Sequence, residues 1–415
     1  MNPLKMYCTF RKILMLGVIL LITSNSRAQF IGYRIDEPEK KSVFNFQFIN
    51  NLIIVPIVLN DSVEMQFILD TGVRTTLLTE GNDNHLDVSY NRPVKISGLG
   101  TSGDIQAYVA SNVKLQLPGI TGKGQTLIVL GEDYLNLQSH IGQEVHGILG
   151  YDFFSHFVVR IDYISKKITV YESNSFILPS DKFTRFPISI AGGRPFLQAE
   201  IIQMDGAKTH GSFLIDTGAS HSLLLEPSTE KGIFLPSKTL PTIVGWGLSG
   251  PIPGRLGRIK LFTLGKFSFK NTLASFGDCM QPASQSLPDR IGSIGGELLS
   301  RFTVIFDYKS EQMFLKKNYH YKRGFEHNKS GIDLVADGES FKTFKVAHVM
   351  ENSPASTAGI MEGDIIVAIN GKGAAQLDLE EIHGIFRSDI SQPVQLIILR
   401  GRKYQSFSLR LKKMI

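Results

Sequence analysis

The chain has 415 residues, of which 42% are hydrophobic and 20% are charged. This length exceeds one ordinary hydrophobic core and predicts two or three domains, and the composition excludes an intrinsically disordered protein. The formal net charge is +6, but residues 1–28 contain four basic residues and no acidic ones, so the remainder carries only +2. A charge this small gives no support for a nucleic-acid partner.

The N-terminus has the pattern of a secretory signal peptide. Basic residues precede the apolar run 13–22, and small and polar residues lead from it to Ser26-Arg27-Ala28. The run is short for a membrane span, and the small residues predict cleavage after Ala28. We therefore expect loss of residues 1–28 and export to the periplasm or the cell exterior. An uncleaved anchor is the alternative, and no later segment is apolar enough to cross a bilayer.

Strand patterns that end in a short polar motif follow the signal. Residues 52–59 and 63–69 are rich in β-branched and aromatic residues, and Asn60-Asp61 between them predicts a turn. Asp70-Thr71-Gly72 comes directly after the second run. A glycine-rich stretch, a short predicted helix and a second predicted strand pair complete this region: 98–103, 150–154, and 157–163 with 167–171.

These features recur in the same order. Asp216-Thr217-Gly218 lies 146 residues after the first motif, a second glycine-rich stretch spans 245–250, and residues 147–163 share seven of seventeen positions with 292–308. Such an ordered set predicts two homologous lobes, residues 41–175 and 176–320. Strand patterns dominate both lobes, so their fold class is mainly β.

The doubled motif resembles the aspartic proteases of the pepsin and retropepsin type. In that family an Asp-Thr-Gly loop, a glycine-rich hairpin flap and a late apolar-apolar-Gly segment occur in this order, and here the set occurs twice. The resemblance implies two acid-protease-like β lobes and an endopeptidase whose catalytic residues are Asp70 and Asp216. It further implies hydrogen bonds between Thr71 and Thr217 across the lobes. The implied supporting positions in the active-site loops are Thr71, Gly72, Gly150, Thr217, Gly218 and Gly295.

Two facing carboxyl groups supply the chemistry that peptide hydrolysis needs. Because like charges at contact distance repel, one carboxyl stays protonated while the other is ionised. The ionised group takes a proton from a water that attacks the peptide carbonyl, and the protonated group donates to the carbonyl oxygen. For one Asp alone a turn or strand-end role is the alternative, but the repeated pair favours catalysis.

The residues after the two motifs predict the pH range. Pepsin-like enzymes usually carry a hydroxyl residue there, which bonds a catalytic carboxylate, whereas this chain has Val73 and Ala219. Without those donors the ionised form is less favoured, and we expect a milder pH optimum than that of pepsin.

The glycine-rich stretches are interpreted as flaps over the substrate. Gly98 and Gly100 belong to the first, and Gly245, Trp246 and Gly247 to the second. Trp246 would offer the substrate an apolar contact. Plain hairpins, and a Trp packed in the core, are the alternatives.

The pattern changes after Tyr308. Residues 316–329 are basic and aromatic without an apolar stripe and are interpreted as a solvated linker. Beyond them, Ser353-Pro354 predicts the start of a helix, Gly359 its end and Asn370-Gly371 a hairpin. The order Ser-Pro-Ala, Ala-Gly-Ile, Gly-Asp-Ile-Ile and Ile-Asn-Gly resembles a bacterial PDZ domain, which implies a PDZ-like α+β domain over 325–415.

A PDZ domain implies a peptide ligand that adds as a strand to a sheet edge. The best match to the loop that holds a peptide carboxylate contains Gly331, Ile332 and Leu334. A PDZ fold that acts as a spacer without a ligand is the alternative.

We predict no cofactor and no metal, since the ten His do not cluster at ligand spacing. Cys8 lies in the signal, so Cys279 is the only thiol of the mature chain, interpreted as a small partly buried side chain rather than a nucleophile.

The predicted partners are a peptide or unfolded protein substrate and a peptide ligand of the PDZ domain. Both Asp loops lie in one chain, so a monomer suffices.

Two other functions stay open. One is a peptide-binding or scaffolding protein on the same fold that has lost catalysis, although the presence of both Asp argues against it. The other is a dimer in which each lobe pairs with its own symmetric partner, and it predicts that either lobe alone would cleave.

Overall fold

A computed structural model of the protein describes residues 30–79, 90–96, 105–248, 250–278 and 290–415. The predicted signal peptide, the flap glycines Gly98 and Gly100, and both cysteines lie outside these ranges. Within them, no helix combines the length and the apolarity that crossing a membrane requires.

Lobe 1 is built on one large sheet. Its strands β4 and β5 pair antiparallel across the predicted turn, where Asn60 and Asp61 both adopt positive φ. In the described part this sheet has nine strands: β1 (Gly32–Ile35), β3 (Gln47–Ile49), β4 (Leu52–Leu59), β5 (Val63–Leu69), β6 (Leu77–Thr79), β7 (Tyr90–Ile96), β8 (Ile105–Leu117), β9 (Ile120–Leu130) and β10 (Gly147–Leu149).

A second sheet joins the two lobes. Its central strands β11 and β22 come from equivalent places in the repeat and pair antiparallel, from Val158↔Asp307 to Asp162↔Thr303. This pairing relates the lobes by an approximate twofold axis, so equivalent loops face each other. The strands are β2 (Lys41–Asn45), β11 (Phe157–Asp162), β12 (Lys167–Glu172), β13 (Thr184–Pro187), β22 (Phe302–Asp307) and β23 (Gln312–Lys317).

Lobe 2 repeats the sheet of lobe 1. Its strands are β14 (Ser189–Ala191), β15 (Arg194–Ile202), β16 (Lys208–Ile215), β17 (Leu223–Leu225), β18 (Leu240–Gly247), β19 (Gly250–Leu264), β20 (Phe267–Gly277) and β21 (Gly292–Ile294). Phe154 of lobe 1 packs on Phe306 and Tyr308 of lobe 2, with ring centroids 5.6 and 5.4 Å apart. The lobes therefore share one continuous hydrophobic core.

Helices are few and short in the lobes. Helices α2 (Tyr151–Phe154) and α3 (Gly296–Leu299) lie where the sequence predicts them, whereas α1 (Leu137–Ile141) has no helical pattern long enough to reveal it.

The C-terminal domain has its own sheet and core. Ser353 caps α4 (Pro354–Ala358) through the N–H of Ser356, and Gly359 ends that helix with φ 84°. Helix α5 (Leu379–Arg387) packs on the sheet, whose strands are β24 (Ile332–Asp337), β25 (Thr343–Val349), β26 (Ile365–Ile369), β27 (Lys372–Gly373), β28 (Val394–Arg400) and β29 (Lys403–Leu409). The predicted fold class, two β lobes followed by an α+β domain, is confirmed.

The interpretation of residues 316–329 as a solvated linker is wrong. Lys316 and Lys317 belong to β23, and Phe325 is buried in the core of the lobes. Lys329 is only 2% exposed, because its ammonium group donates to the Arg387 carbonyl at 2.7 Å and pairs with carboxylates. Long-range pairing of this kind leaves no periodic pattern in the sequence.

Candidate active site

Each Asp-Thr-Gly loop directly follows a strand that pairs with a parallel neighbouring strand. β5 pairs with β10 and β16 pairs with β21 in equivalent registers. The Asp70 N–H donates to the Leu149 carbonyl and the Asp216 N–H to the Ile294 carbonyl, both at 2.9 Å. The same buried apolar runs therefore place an aspartate at the same point beyond each strand.

The two carboxyl groups meet between the lobes, each over the glycine of the opposite loop. A Cβ on Gly218 would lie 2.1 Å from the carboxyl carbon of Asp70, and one on Gly72 would lie 2.9 Å from that of Asp216. Each carboxyl group also accepts the N–H of its own loop glycine, Gly72 at 2.5 Å and Gly218 at 3.0 Å. Only a residue without a side chain permits this approach at either position.

The carboxyl groups are hydrogen-bonded to each other and have different electrostatic surroundings. Burial raises the pKa of Asp70 well above its ordinary value, and the charge of Asp216 raises it further. Burial also raises the pKa of Asp216, but the hydrogen bond with Asp70 and the charges of Arg290 and Arg194 oppose that rise. Because two like charges at this distance repel, the pair holds one shared proton and therefore contains one acid and one base.

Thr71 and Thr217 bond the two loops together. Each backbone N–H donates to the hydroxyl oxygen of the opposite threonine at 3.0 Å. The Thr71 hydroxyl donates to the Ile215 carbonyl at 2.7 Å, and the Thr217 hydroxyl to the Leu69 carbonyl at 2.8 Å. Both threonines are buried. Four hydrogen bonds thus fix the separation of the aspartates that directly precede the threonines.

Gly150 and Gly295 pack against the backbone of the residues that follow the two Asp-Thr-Gly motifs. A Cβ on Gly150 would stand 2.4 Å from the Val73 carbonyl oxygen, and one on Gly295 would stand 2.1 Å from that of His221. The N–H of Tyr151 donates to the same Val73 carbonyl at 2.9 Å. Close backbone packing at these glycines supports the loops that carry the aspartates.

Two arginines beside the pair escaped the sequence analysis. Arg194 begins β15, and its Nε donates to the Gly72 carbonyl at 2.6 Å. Arg290 is held by Glu226, with Nε 2.6 Å from Oε1. No motif links either arginine to Asp-Thr-Gly, since the fold brings them from distant segments.

The glycine-rich stretch of lobe 2 forms a hairpin. Gly245, Trp246 and Gly247 end β18, which pairs with β19. The Trp246 ring is 42% exposed and lies 4.2 Å, centroid to centroid, from the ring of His140 in α1. The alternative of a Trp packed in the core is therefore wrong, and contact between Trp246 and a substrate stays a prediction.

A separate cavity of ≈ 730 Å³ lies between the two lobes and the C-terminal domain. Ser220 and His221, which follow the second Asp-Thr-Gly motif, line one side, and Glu297 and Arg301 line another. Neither catalytic candidate lines it. In the described part of the chain, no group of three or more His, Cys, Asp and Glu side chains is placed to hold a metal ion.

Comparisons with known proteins identify both kinds of domain. Residues 55–153 and 199–297 each match the aspartyl protease family, one Asp-Thr-Gly motif in each match, and residues 345–400 match the PDZ domain. Both lobes are therefore similar to the aspartyl protease family, and the C-terminal domain is similar to the PDZ domain. The resemblances noted in the sequence are confirmed.

Among solved structures, the chain is similar to an aspartic proteinase from Irpex lacteus. The two are 14% identical, the match covers 68% of this chain and 99% of the other, and the TM-score is 0.44. No protein with a curated description matches the sequence.

Proposed function

We propose that the protein is an aspartic endopeptidase. The observation that supports this is the pair of buried carboxyl groups that meet between two lobes of one chain, each over the glycine of the opposite loop. Water adds to the peptide carbonyl carbon while Asp216 takes its proton and Asp70 donates its own to the carbonyl oxygen. Collapse of the tetrahedral intermediate breaks the C–N bond: Asp216 passes its proton to the leaving amine, and a hydroxyl group of the intermediate returns a proton to Asp70 as the new carboxyl group forms.

The substrate in this proposal is an extended peptide or an unfolded protein. Because each lobe supplies one aspartate, a single chain contains both catalytic groups and a monomer is sufficient. The flap hairpin belongs to lobe 2, and its Trp246 contacts His140 of lobe 1. This hairpin would cover the bound peptide.

Substitution of either aspartate tests the proposal. Asp70→Asn and Asp216→Asn should each lower cleavage of an unfolded protein at pH 4 to 7 by about 10²- to 10⁴-fold, since each removes a proton-transfer group. Asp205→Asn, an exposed turn residue of lobe 2, is the control and should cleave like the wild type. If neither dyad variant differs from the wild type, the scaffolding alternative stands instead.

The pH profile tests the surroundings of the pair. Val73 and Ala219 have no hydroxyl group that could donate to either carboxyl group. Burial raises the pKa of both aspartates. Activity is lost as pH falls through the raised pKa of Asp216 and as it rises through that of Asp70. We expect greater activity at pH 5 to 6 than at pH 2. Equal or greater activity at pH 2 would contradict this expectation.

Export is part of the proposal and rests on the sequence of residues 1–28. N-terminal sequencing of the protein recovered outside the cytoplasm should begin at Gln29. A chain that begins at Met1 would favour the uncleaved anchor.

A further inference from the structure

The peptide groove of the PDZ domain is filled by lobe 1. A strand-adding ligand lies along an exposed sheet edge, and β24 is the edge strand of this domain, with α5 beside it. Gly142, which follows α1, lies between these two elements. A Cβ on it would stand 2.9 Å from Cβ of Leu379 in α5 and 3.6 Å from Cβ of Ala336 in β24.

Helix α5 is also bonded to lobe 1 at both of its ends. The Asn50 N–H donates to Oε2 of Glu380 at 3.0 Å, and Nη2 of Arg387 donates to Oδ1 of Asn50 at 3.5 Å. Glu380 lies in the first turn of the helix and Arg387 in its last. One turn of lobe 1 therefore fixes the orientation of the groove.

The loop that precedes β24 has already used its donors. Oδ1 of Asn328 accepts the N–H groups of Ser330 at 3.0 Å and Gly331 at 3.2 Å, and Oγ of Ser330 accepts the N–H of Ile332 at 3.0 Å. A peptide carboxylate would need these N–H groups. Ile332 and Leu334 are buried in the core of the C-terminal domain itself, so of the predicted ligand positions it is the N–H groups of the loop that are already bonded within the chain.

The segment in the groove also contacts the flap of lobe 2. The His140 ring in α1 contacts the Trp246 ring at a tilt of 33°, and Leu248 in the turn of the same hairpin packs on the apolar cluster of lobe 1 that contains Ile141. Helix α1 therefore touches the PDZ domain on one side and the flap on another.

We propose that segment 137–142, a helix and its C-terminal glycine rather than an added strand, occupies this PDZ groove through Gly142, and that its docking holds the lobe 2 flap against lobe 1. When the segment leaves the groove, Trp246 is released and the cleft opens, so the docked form is the less active one. An external extended peptide that pairs with β24 competes with the segment. The docking stands on geometry alone, whereas the gating of cleavage rests on the proposed endopeptidase function.

Substitution of Gly142 by a larger residue tests the docking. Gly142→Leu places a side chain against Leu379, and Gly206→Leu is the matched control, because Gly206 also has positive φ but no atom within 4 Å of its Cβ position. Trp246 is the only Trp of the chain, so its fluorescence reports on the flap. We expect acrylamide quenching of Trp246 to rise about twofold in Gly142→Leu and to stay unchanged in the control. Unchanged quenching in folded Gly142→Leu would overturn the proposal.

A cross-link tests the same contact without a clash. In a Cys279→Ser background, Gly142→Cys with Ala336→Cys places the two Cβ atoms 3.6 Å apart, within the range of a disulfide. The bond should form on oxidation, lower the quenching of Trp246 and slow cleavage about fivefold, with recovery on reduction.

The outcomes separate the two parts of the proposal. Failure of the bond to form overturns the docking. A cross-linked enzyme that cleaves as fast as the reduced one overturns the gate. Formation of the bond with lowered quenching, in a protein that cleaves in neither state, supports the docking and instead refutes the endopeptidase function.

Discussion

At the residue scale, the two aspartates have matching backbones but unequal neighbours. Arg194 is the first residue of β15, whereas the equivalent strand of lobe 1, β4, begins with Leu52. Arg194 therefore adds a positive charge that has no counterpart in the repeat. The charge of Arg194 opposes the burial-driven rise in the pKa of both aspartates, whereas that of Arg290 opposes it at Asp216. This asymmetry supports the proposed role of Asp216 as the base.

Removal of the Arg194 charge should move the pH profile. Without it the pKa of Asp216 rises, so in Arg194→Met the acid limb of kcat/KM moves to higher pH. Arg194→Lys keeps the positive charge, so its acid limb should lie closer to the pH at which the wild-type limb lies. Arg74→Met is the control, because Arg74 is exposed and does not shift either aspartate. A profile that is identical in wild type and Arg194→Met would contradict this role.

Asp70 should reduce stability at neutral pH. Its pKa is higher in the folded protein than the ordinary value of 3.8, so stability is lost as pH rises from that value through the folded pKa. Asp70→Asn cannot ionise and should raise Tm at pH 7 by about 2 °C or more, with no gain at pH 3. Differential scanning calorimetry at the two pH values measures this. A gain of equal size at pH 3 would show that ionisation is not the cause.

At the element scale, the threonine pair couples two loops that come from different lobes. Thr217→Val removes the hydroxyl and leaves the Thr71 N–H and the Leu69 carbonyl without a partner. The free energy of unfolding should fall by about 2 to 4 kcal/mol. Urea unfolding measures the change. Thr272→Val is the control: Thr272 is equally buried but its hydroxyl makes one local bond, to the Phe269 carbonyl, so it should cost about 1 kcal/mol. Equal losses would show that the bonds between the lobes are not special.

At the scale of the whole molecule, the core of the lobes extends to Phe325. This ring lies 3.7 Å from the guanidinium carbon of Arg301, and its carbonyl accepts from Arg258 at 3.1 Å. A chain that ends at Gly324 should therefore be less stable than one that ends at Glu326, by about 3 to 5 kcal/mol. Both truncations remove the PDZ domain, so their difference reports on Phe325 together with the terminal residue Glu326, and Phe325→Ala in the longer chain isolates the ring. Equal Tm values for the two would place the end of the lobes before this residue.

Much of this architecture was predictable because its signals are local. The Asn60-Asp61 turn, the strands on either side of it and the cap of α4 at Ser353 all lie where residue patterns place them. The repeat predicted two lobes, and with them a carboxyl pair, since equivalent loops of a symmetric fold meet at its axis. Helix α1 was missed because a helix of five residues is too short to show a periodic hydrophobic pattern. The alternative of a Trp246 packed in the core was wrong because a single aromatic residue in a sequence does not reveal whether its side chain faces the core or the solvent.

The order of strands, the two motifs and the PDZ domain thus follow from patterns within short stretches of chain. Contacts between distant residues decided the rest: which charged groups surround the two aspartates, why Arg194 lies beside Gly72, how Lys329 becomes buried and what fills the PDZ groove. Each of these depends on charges or surfaces that stand far apart along the chain and meet only when the lobes and the C-terminal domain pack together. A local sequence pattern does not predict such tertiary contacts, because the free energy of each contact arises from burial and electrostatics in the folded structure.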